Sequence, residues 1–68
     1  MTGTQIEPRE AIIEAVMRDR HGVNHIVLLN RYRHLDSDDL YRVALQLEGD
    51  NMINIENTPS GSIYYVKR

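Results

Sequence analysis

Apolar residues recur at helical spacing in three stretches of this chain and alternate with polar ones in two more near its end. In the first stretch Ile12, Ile13, Val16 and Met17 fall on one side of a helix, with Glu10, Glu14, Arg18 and Asp19 opposite or flanking. The spacing predicts a helix that opens at Pro8, where a missing N–H costs nothing because the first turn has no partner for it. Gly22 supplies a stop by its ease in the left-handed conformation. Val23 is expected to give a short strand or bridge, and Asn24 to cap a second helix over roughly residues 24–33. There Leu28, Leu29 and Tyr32 share one side and Leu35 follows the turn, while Val27 points elsewhere. A helix with more apolar residues than one face can bury is packed on two sides or used for association. The first alternative, with Ile26 and Val27 tucked under the first helix, is the expectation for a small helical core.

The third stretch, Leu35 to Ile53, organises the rest. Asp36 is placed to cap a helix, with Asp39 three residues on and more acid in the first turn, where carboxylates meet free backbone N–H groups and the positive end of the helix dipole. Leu40, Val43, Ala44 and Leu47 then form an inner stripe, and Asp38, Tyr41, Arg42 and Leu45 project from the other side. A break at Gly49 to Asn51 leads into Ile53 to Asn57, which alternates as a strand does, and Ser62 to Lys67 is strand-like as well. Thr58-Pro59-Ser60-Gly61 between them carries turn chemistry, so a hairpin is expected, lying on the helices through Ile53, Ile55 and part of Ile63 to Val66.

Composition narrows the class. With 68 residues the chain has room for one small core, and 41% hydrophobic content is enough to fill it. The expected organisation is a flexible tail over residues 1–7 and a single domain over residues 8–68. Cysteine is absent, which removes disulfides and thiolate metal sites. No apolar run has the length of a membrane span, and the first residues lack the pattern of a signal peptide, so a soluble, cytoplasmic protein without a membrane partner is expected. The net charge of −2 bears directly on function, because duplex DNA binding draws its affinity from cations that replace counterions at phosphates. The charge is uneven: Arg31, Arg33 and His34 cluster, and Lys67 and Arg68 close the chain.

Three helices and a hairpin, with a tight turn around His34 to Ser37, resemble the winged helix-turn-helix superfamily over Pro8 to Lys67. The segment Leu40-Tyr41-Arg42-Val43, continuing through Leu47-Glu48 to Met52-Ile53, is similar to the recognition-helix segment of winged-helix regulators, including ferric-uptake-type repressors. Where such proteins often carry glycine before the strand, this chain has Asn51, the next best residue for a left-handed exit. The resemblance implies an α+β fold of three helices followed by a two-stranded wing, and a small DNA-binding protein acting in transcription or replication control. It implies that the third helix enters a major groove, with Ser37, Asp38, Tyr41 and Arg42 near base edges or phosphates, Arg42 as a reader of guanine, and Gln46 farther along. Asn24, His25, Arg31, Arg33, Lys67 and Arg68 would contact phosphates, and Asn57, Thr58, Ser60 and Ser62 would form the wing tip.

The departures from a typical DNA reader are specific. Asp38 and Asp39 put negative charge at the helix end that would face phosphates, and the wing tip has no Lys or Arg. Binding by a single copy is therefore expected to be weak, with a homodimer or larger assembly supplying the missing contacts. The rival expectation is a winged helix used as a protein-interaction module, with Tyr41 and Leu45 one turn apart on the outer face and Val27 on the second helix as its contacts. Each residue also has a plainer role: Arg42 can pair with Asp38 across one turn, and of Tyr64 and Tyr65 one is expected in the core and one on the surface, where base stacking is open to it. No catalytic constellation is recognisable, so no enzyme and no cofactor is expected. His21, His25 and His34 lack metal-ligand spacing and are expected to face solvent. Glu10 and Glu14 sit on an exposed helical face where carboxylates are ordinarily solvated.

Overall fold

A computed structural model describes residues 6–67. Helix α1 (Pro8–Arg18) is followed by strand β1 (Val23–Asn24), helix α2 (His25–Arg31), helix α3 (Ser37–Gly49), and strands β2 (Ile53–Thr58) and β3 (Gly61–Val66). The three strands form one antiparallel sheet in the order β1-β3-β2. The arrangement is three helices followed by a β-hairpin, a winged helix-turn-helix, and the short β1 adds a third strand against the middle of β3 through Val23↔Tyr64 and Asn24↔Ile63.

The helix boundaries follow from capping chemistry. Pro8 occupies the first turn of α1, and Ala11 N–H closes on the Glu7 carbonyl at 2.9 Å. Asn24 Oδ1 accepts from Ile26 N–H at 2.9 Å and starts α2. Asp36 Oδ2 accepts from Asp38 and Asp39 N–H at 3.0 and 3.2 Å and starts α3. Helix α3 ends in a Schellman motif: Asn51 is left-handed at φ 62°, its N–H reaches the Glu48 carbonyl at 3.0 Å, and Met52 N–H reaches the Leu47 carbonyl at 2.9 Å. Asn51 thus performs the left-handed exit expected of it. The Glu48 side chain also accepts from Ile55 N–H of β2 at 3.3 Å, holding the strand to the helix it has just left.

The core consists of Ile12, Ala15 and Val16 of α1, Leu28, Leu40, Ala44 and Leu47 of the helix-turn-helix, and Val23, Ile53 and Tyr64 of the sheet. The inner stripe of α3 is as expected, with Val43 partly buried at its margin. On α1 the buried face is rotated by about one position. Ala11 and Ala15 are inside, and Met17, expected on the core face, is 68% exposed. The alanines allow close approach of α1 to α3 and β3, which the larger Ile13 and Met17 side would prevent. Ile26 and Val27 do not tuck under α1: they are 53% and 46% exposed. Helix α2 is only seven residues long and buries one side chain fully, Leu28, so it has a single inward face.

Gly22 serves packing more than helix termination. Helix α1 has already ended at Arg18, and Gly22, at φ +106°, lies so close to β3 that an added Cβ would stand 2.6 Å from Tyr65 Cε1 and 2.7 Å from Ile63 Cγ2. Ile6 and Glu7, assigned by sequence to the tail, are attached: Glu7 is the N-cap of α1, and His34 Nε2–H donates to the Ile6 carbonyl at 2.7 Å.

Candidate nucleic-acid interface

The outer side of α3 adjoins the hairpin, which it meets through Tyr41 and Glu48. Ser37, Asp38, Arg42 and Gln46 are exposed along the helix. Arg42 pairs with Asp39 at 3.7 Å, both side chains well exposed, and not with Asp38 as the spacing first implied. An exposed pair of this kind contributes between nothing and about 1 kcal/mol, so the guanidinium is easily released to another acceptor. Tyr41, expected on the outer face, is half-buried: its ring meets His25 edge-on at 6.1 Å and its hydroxyl lies 3.5 Å from Asn57 Oδ1 on β2. That long contact joins α3 to the wing near its tip, as Glu48 and Ile55 do nearer its base. Leu45 remains on the outer face, 46% exposed, so the Tyr41–Leu45 patch is reduced mainly to Leu45.

The wing tip is closed by its own side chains. The pair Thr58↔Gly61 leaves Pro59 and Ser60 as a two-residue turn. Thr58 Oγ1 accepts from Ser60 N–H at 3.2 Å while donating to the Gly61 carbonyl at 2.7 Å, and Ser62 Oγ donates to Asn57 Oδ1 at 2.9 Å. Of the tip residues, Ser60 and Asn57 are exposed and Thr58 is half-buried. Tyr64 is the core tyrosine; Tyr65 lies on the other face, its hydroxyl donating to Glu56 Oε1 at 2.7 Å, and that hydrogen bond, chiefly, raises its pKa.

His25 departs from expectation. It is half-buried, not solvent-facing: Nδ1 lies 2.6 Å from the Tyr64 hydroxyl and Nε2 lies 2.9 Å from Ser37 Oγ. Burial lowers its pKa from the ordinary histidine value. Tyr64 is pushed above the ordinary phenol value, first by burial and then by the nearby Tyr41. The sequence points to His25, to Ser37 and to one of Tyr64 and Tyr65 as core, but not to the link between them, because 39 residues separate His25 from Tyr64.

The basic residues do not line up beside α3 and the hairpin. From Ser37 to Val66 the acids are Asp38, Asp39, Glu48, Asp50 and Glu56, and Arg42 is the one base. Arg31 and Val27 line a groove of about 200 Å³ with Arg18, Asp19 and Asn24, on the side of α2 that faces the end of α1; no residue of α3, β2 or β3 lines it. Lys67 lines another groove with Met17, Arg20 and Val66, and its ammonium donates to Asn54 Oδ1 at 3.4 Å. Arg33 is exposed just past α2. Asn24, expected at phosphates, uses its side-chain carbonyl to cap α2. Arg68 lies outside the described residues.

No family model matches this chain. No curated protein matches it either. Among solved structures, it is similar to the ferric uptake regulator from Francisella tularensis with iron, at a TM-score of 0.72 and 16% identity. The match covers 100% of this chain and 57% of that one, so the chain spans a little over half the length of the regulator. Among the described residues no group of three or more His, Cys, Asp or Glu is arranged to hold a metal ion. Nor is any described helix long and apolar enough to cross a membrane. What the two chains share is the winged helix-turn-helix fold.

Proposed function

We propose that this protein binds double-stranded DNA through α3 and the hairpin, as a small regulator of transcription or replication that needs a second copy or a further DNA-binding part to bind tightly. The observation that carries this reading is the exposed row Ser37, Asp38, Arg42 and Gln46 on a helix that adjoins the wing at Tyr41 and Asn57. A helix of 13 residues presented in this way is of a size to enter a major groove. Arg42 has the fork to take both acceptors of a guanine, Asp38 can accept from cytosine, and on this reading Ser37 and Asn57 supply backbone contacts. The similarity to a ferric uptake regulator over the whole chain supports the same reading.

Titrating labelled duplex DNA with the protein at low and then moderate salt tests it. Binding is expected at low salt and is expected to weaken steeply as salt rises. Arg42→Ala should cost about 1–3 kcal/mol of specific binding, whereas Arg31→Ala, in its groove beside α1, should change little. Absence of binding at low salt, or a wild-type curve from Arg42→Ala, would refute the proposal.

One observation favours a second reading. The stretch from α3 to β3 opposes five acids to a single arginine, which suits a basic protein partner better than a phosphate backbone. In that case Leu45→Ala and Val27→Ala would reduce self-association or partner capture, and DNA would not compete.

A further inference from the structure

His25 stands where α2, α3 and β3 meet, and its two ring nitrogens are both engaged by hydroxyls, Tyr64 at 2.6 Å and Ser37 at 2.9 Å. Tyr64 is fully buried, and among the described residues its hydroxyl bonds to His25 alone. A buried O–H needs an acceptor. The Tyr64 hydroxyl therefore donates to Nδ1, which leaves the ring proton on Nε2, where it is donated to Ser37 Oγ. Ser37 is exposed, so its own hydroxyl hydrogen is left for an outside acceptor such as a phosphate oxygen.

We infer that His25 is a positioning residue for the α3 surface: as the neutral Nε2–H tautomer it ties the first turn of α3 to the core hydroxyl of Tyr64, and protonating it weakens DNA binding. This rests on the DNA reading above. An imidazolium donates from both nitrogens and accepts at neither. Tyr64 would then have to accept, and its own proton would find no acceptor in the core. The ring is driven off Tyr64, and the first turn of α3 and Tyr41, which meets the ring edge-on, lose their support. The groups facing His25 are Tyr64 from β3 and Ser37 and Tyr41 from α3; among the described residues no carboxylate pairs with it.

The lowered pKa agrees with this geometry. Because the folded value lies below the usual 6.5, the unfolded chain takes up the proton first. The stabilisation is complete above that pH and is lost as pH falls through the folded value. The background runs the other way. Acid makes the net charge of any chain more positive, which strengthens attraction to DNA. A loss of affinity on acidification in protein that stays folded by circular dichroism is therefore a signature that a merely structural histidine does not produce.

Nitrogen-15 NMR of the imidazole ring, on the full chain from neutral to mildly acid pH, is the test. A fixed Nε2–H tautomer is expected, with the amides of Ser37, Asp38 and Tyr41 shifting at the midpoint of the His25 ring. An Nδ1–H tautomer, averaging between the two, or amides that ignore the ring would overturn the inference without reference to DNA. In parallel, affinity for duplex DNA should fall on the order of fivefold or more through that same midpoint. By linkage, DNA should lower the His25 pKa by the matching factor. His25→Gln, which does not titrate, should lack the acid-dependent loss whatever its own affinity; should that variant not fold, the wild-type curves decide. Affinity that stays level or rises through the midpoint sinks the positioning role. Absence of DNA binding at every pH sinks the DNA reading and the positioning role together, while the NMR result separately reports whether His25 ties α3 to the core.

Discussion

The junction around His25 and the tip of the hairpin are both built from hydroxyls and amides, yet they are wired differently. At the junction the hydrogen bonds span 39 and 12 positions of sequence and bring three elements together. At the tip the short ones span three and five positions and join a strand to its own turn or partner strand, and the one link outward, from Tyr41 to Asn57, is long at 3.5 Å. The first kind fixes where α3 stands relative to the sheet; the second fixes only the shape of a loop. Polar side chains of similar chemistry thus do tertiary work in one place and local work in the other, and sequence separation is what distinguishes them.

Three substitutions separate these roles, taken from the largest expected effect to the smallest. Tyr64→Phe removes the buried hydroxyl, keeps the ring, and leaves His25 Nδ1 to whatever water reaches it; a loss of about 1–2 kcal/mol in urea unfolding is expected. The same variant should alter behaviour in alkali. Tyr64 has a raised pKa in the folded state, so its contribution is full below its ordinary value of 10.0 and is lost as pH rises beyond it. That part of the alkaline destabilisation should be missing from the phenylalanine variant. Thr58→Ala opens the turn staple and should cost about 0.5–1.5 kcal/mol, with amide exchange speeding up at Ser60 and Gly61 but not in α3. If exchange rises equally in α3, the distinction between local and tertiary wiring fails. Arg42→Ala breaks only an exposed pair with Asp39 and should leave thermal stability within about 0.5 kcal/mol of wild type, so any large change in DNA affinity would be a direct effect.

Much of the fold is legible in the sequence, for local reasons. Pro8, Asn24, Asp36, Asn51 and the Thr58 to Gly61 turn act through bonds to residues a few positions away, and each does what its spacing implies. The three-helix-and-hairpin order follows from them. What escapes is the part decided across the chain. The buried face of α1 departs from its apolar spacing because Ile13 and Met17 have the apolar payload, whereas Ala11 and Ala15 have the small size that close packing demands. Ile26 and Val27 lie exposed because α2 is too short to have a second neighbour beneath that side. The candidate site was legible as a helix and partly as residues: Ser37, Asp38, Arg42 and Gln46 do share an exposed surface. Arg31, Lys67 and Asn24 were grouped with them by charge or polarity, and the structure turns them to other grooves or to capping. The role of His25 was hidden, since nothing near it in the chain announces a buried tyrosine.

The contact from Glu48 to Ile55 has a further consequence for how copies of this protein meet. Strand β2 lies outermost in the sheet, with one side of its backbone open to a new strand. Such an edge invites another chain to add on and extend the sheet without limit. Here the Ile55 N–H that an incoming strand would use is already taken by a carboxylate, and Glu56 adds a charge beside it. The bond that fastens wing to helix therefore also guards that edge of the sheet against unlimited strand addition.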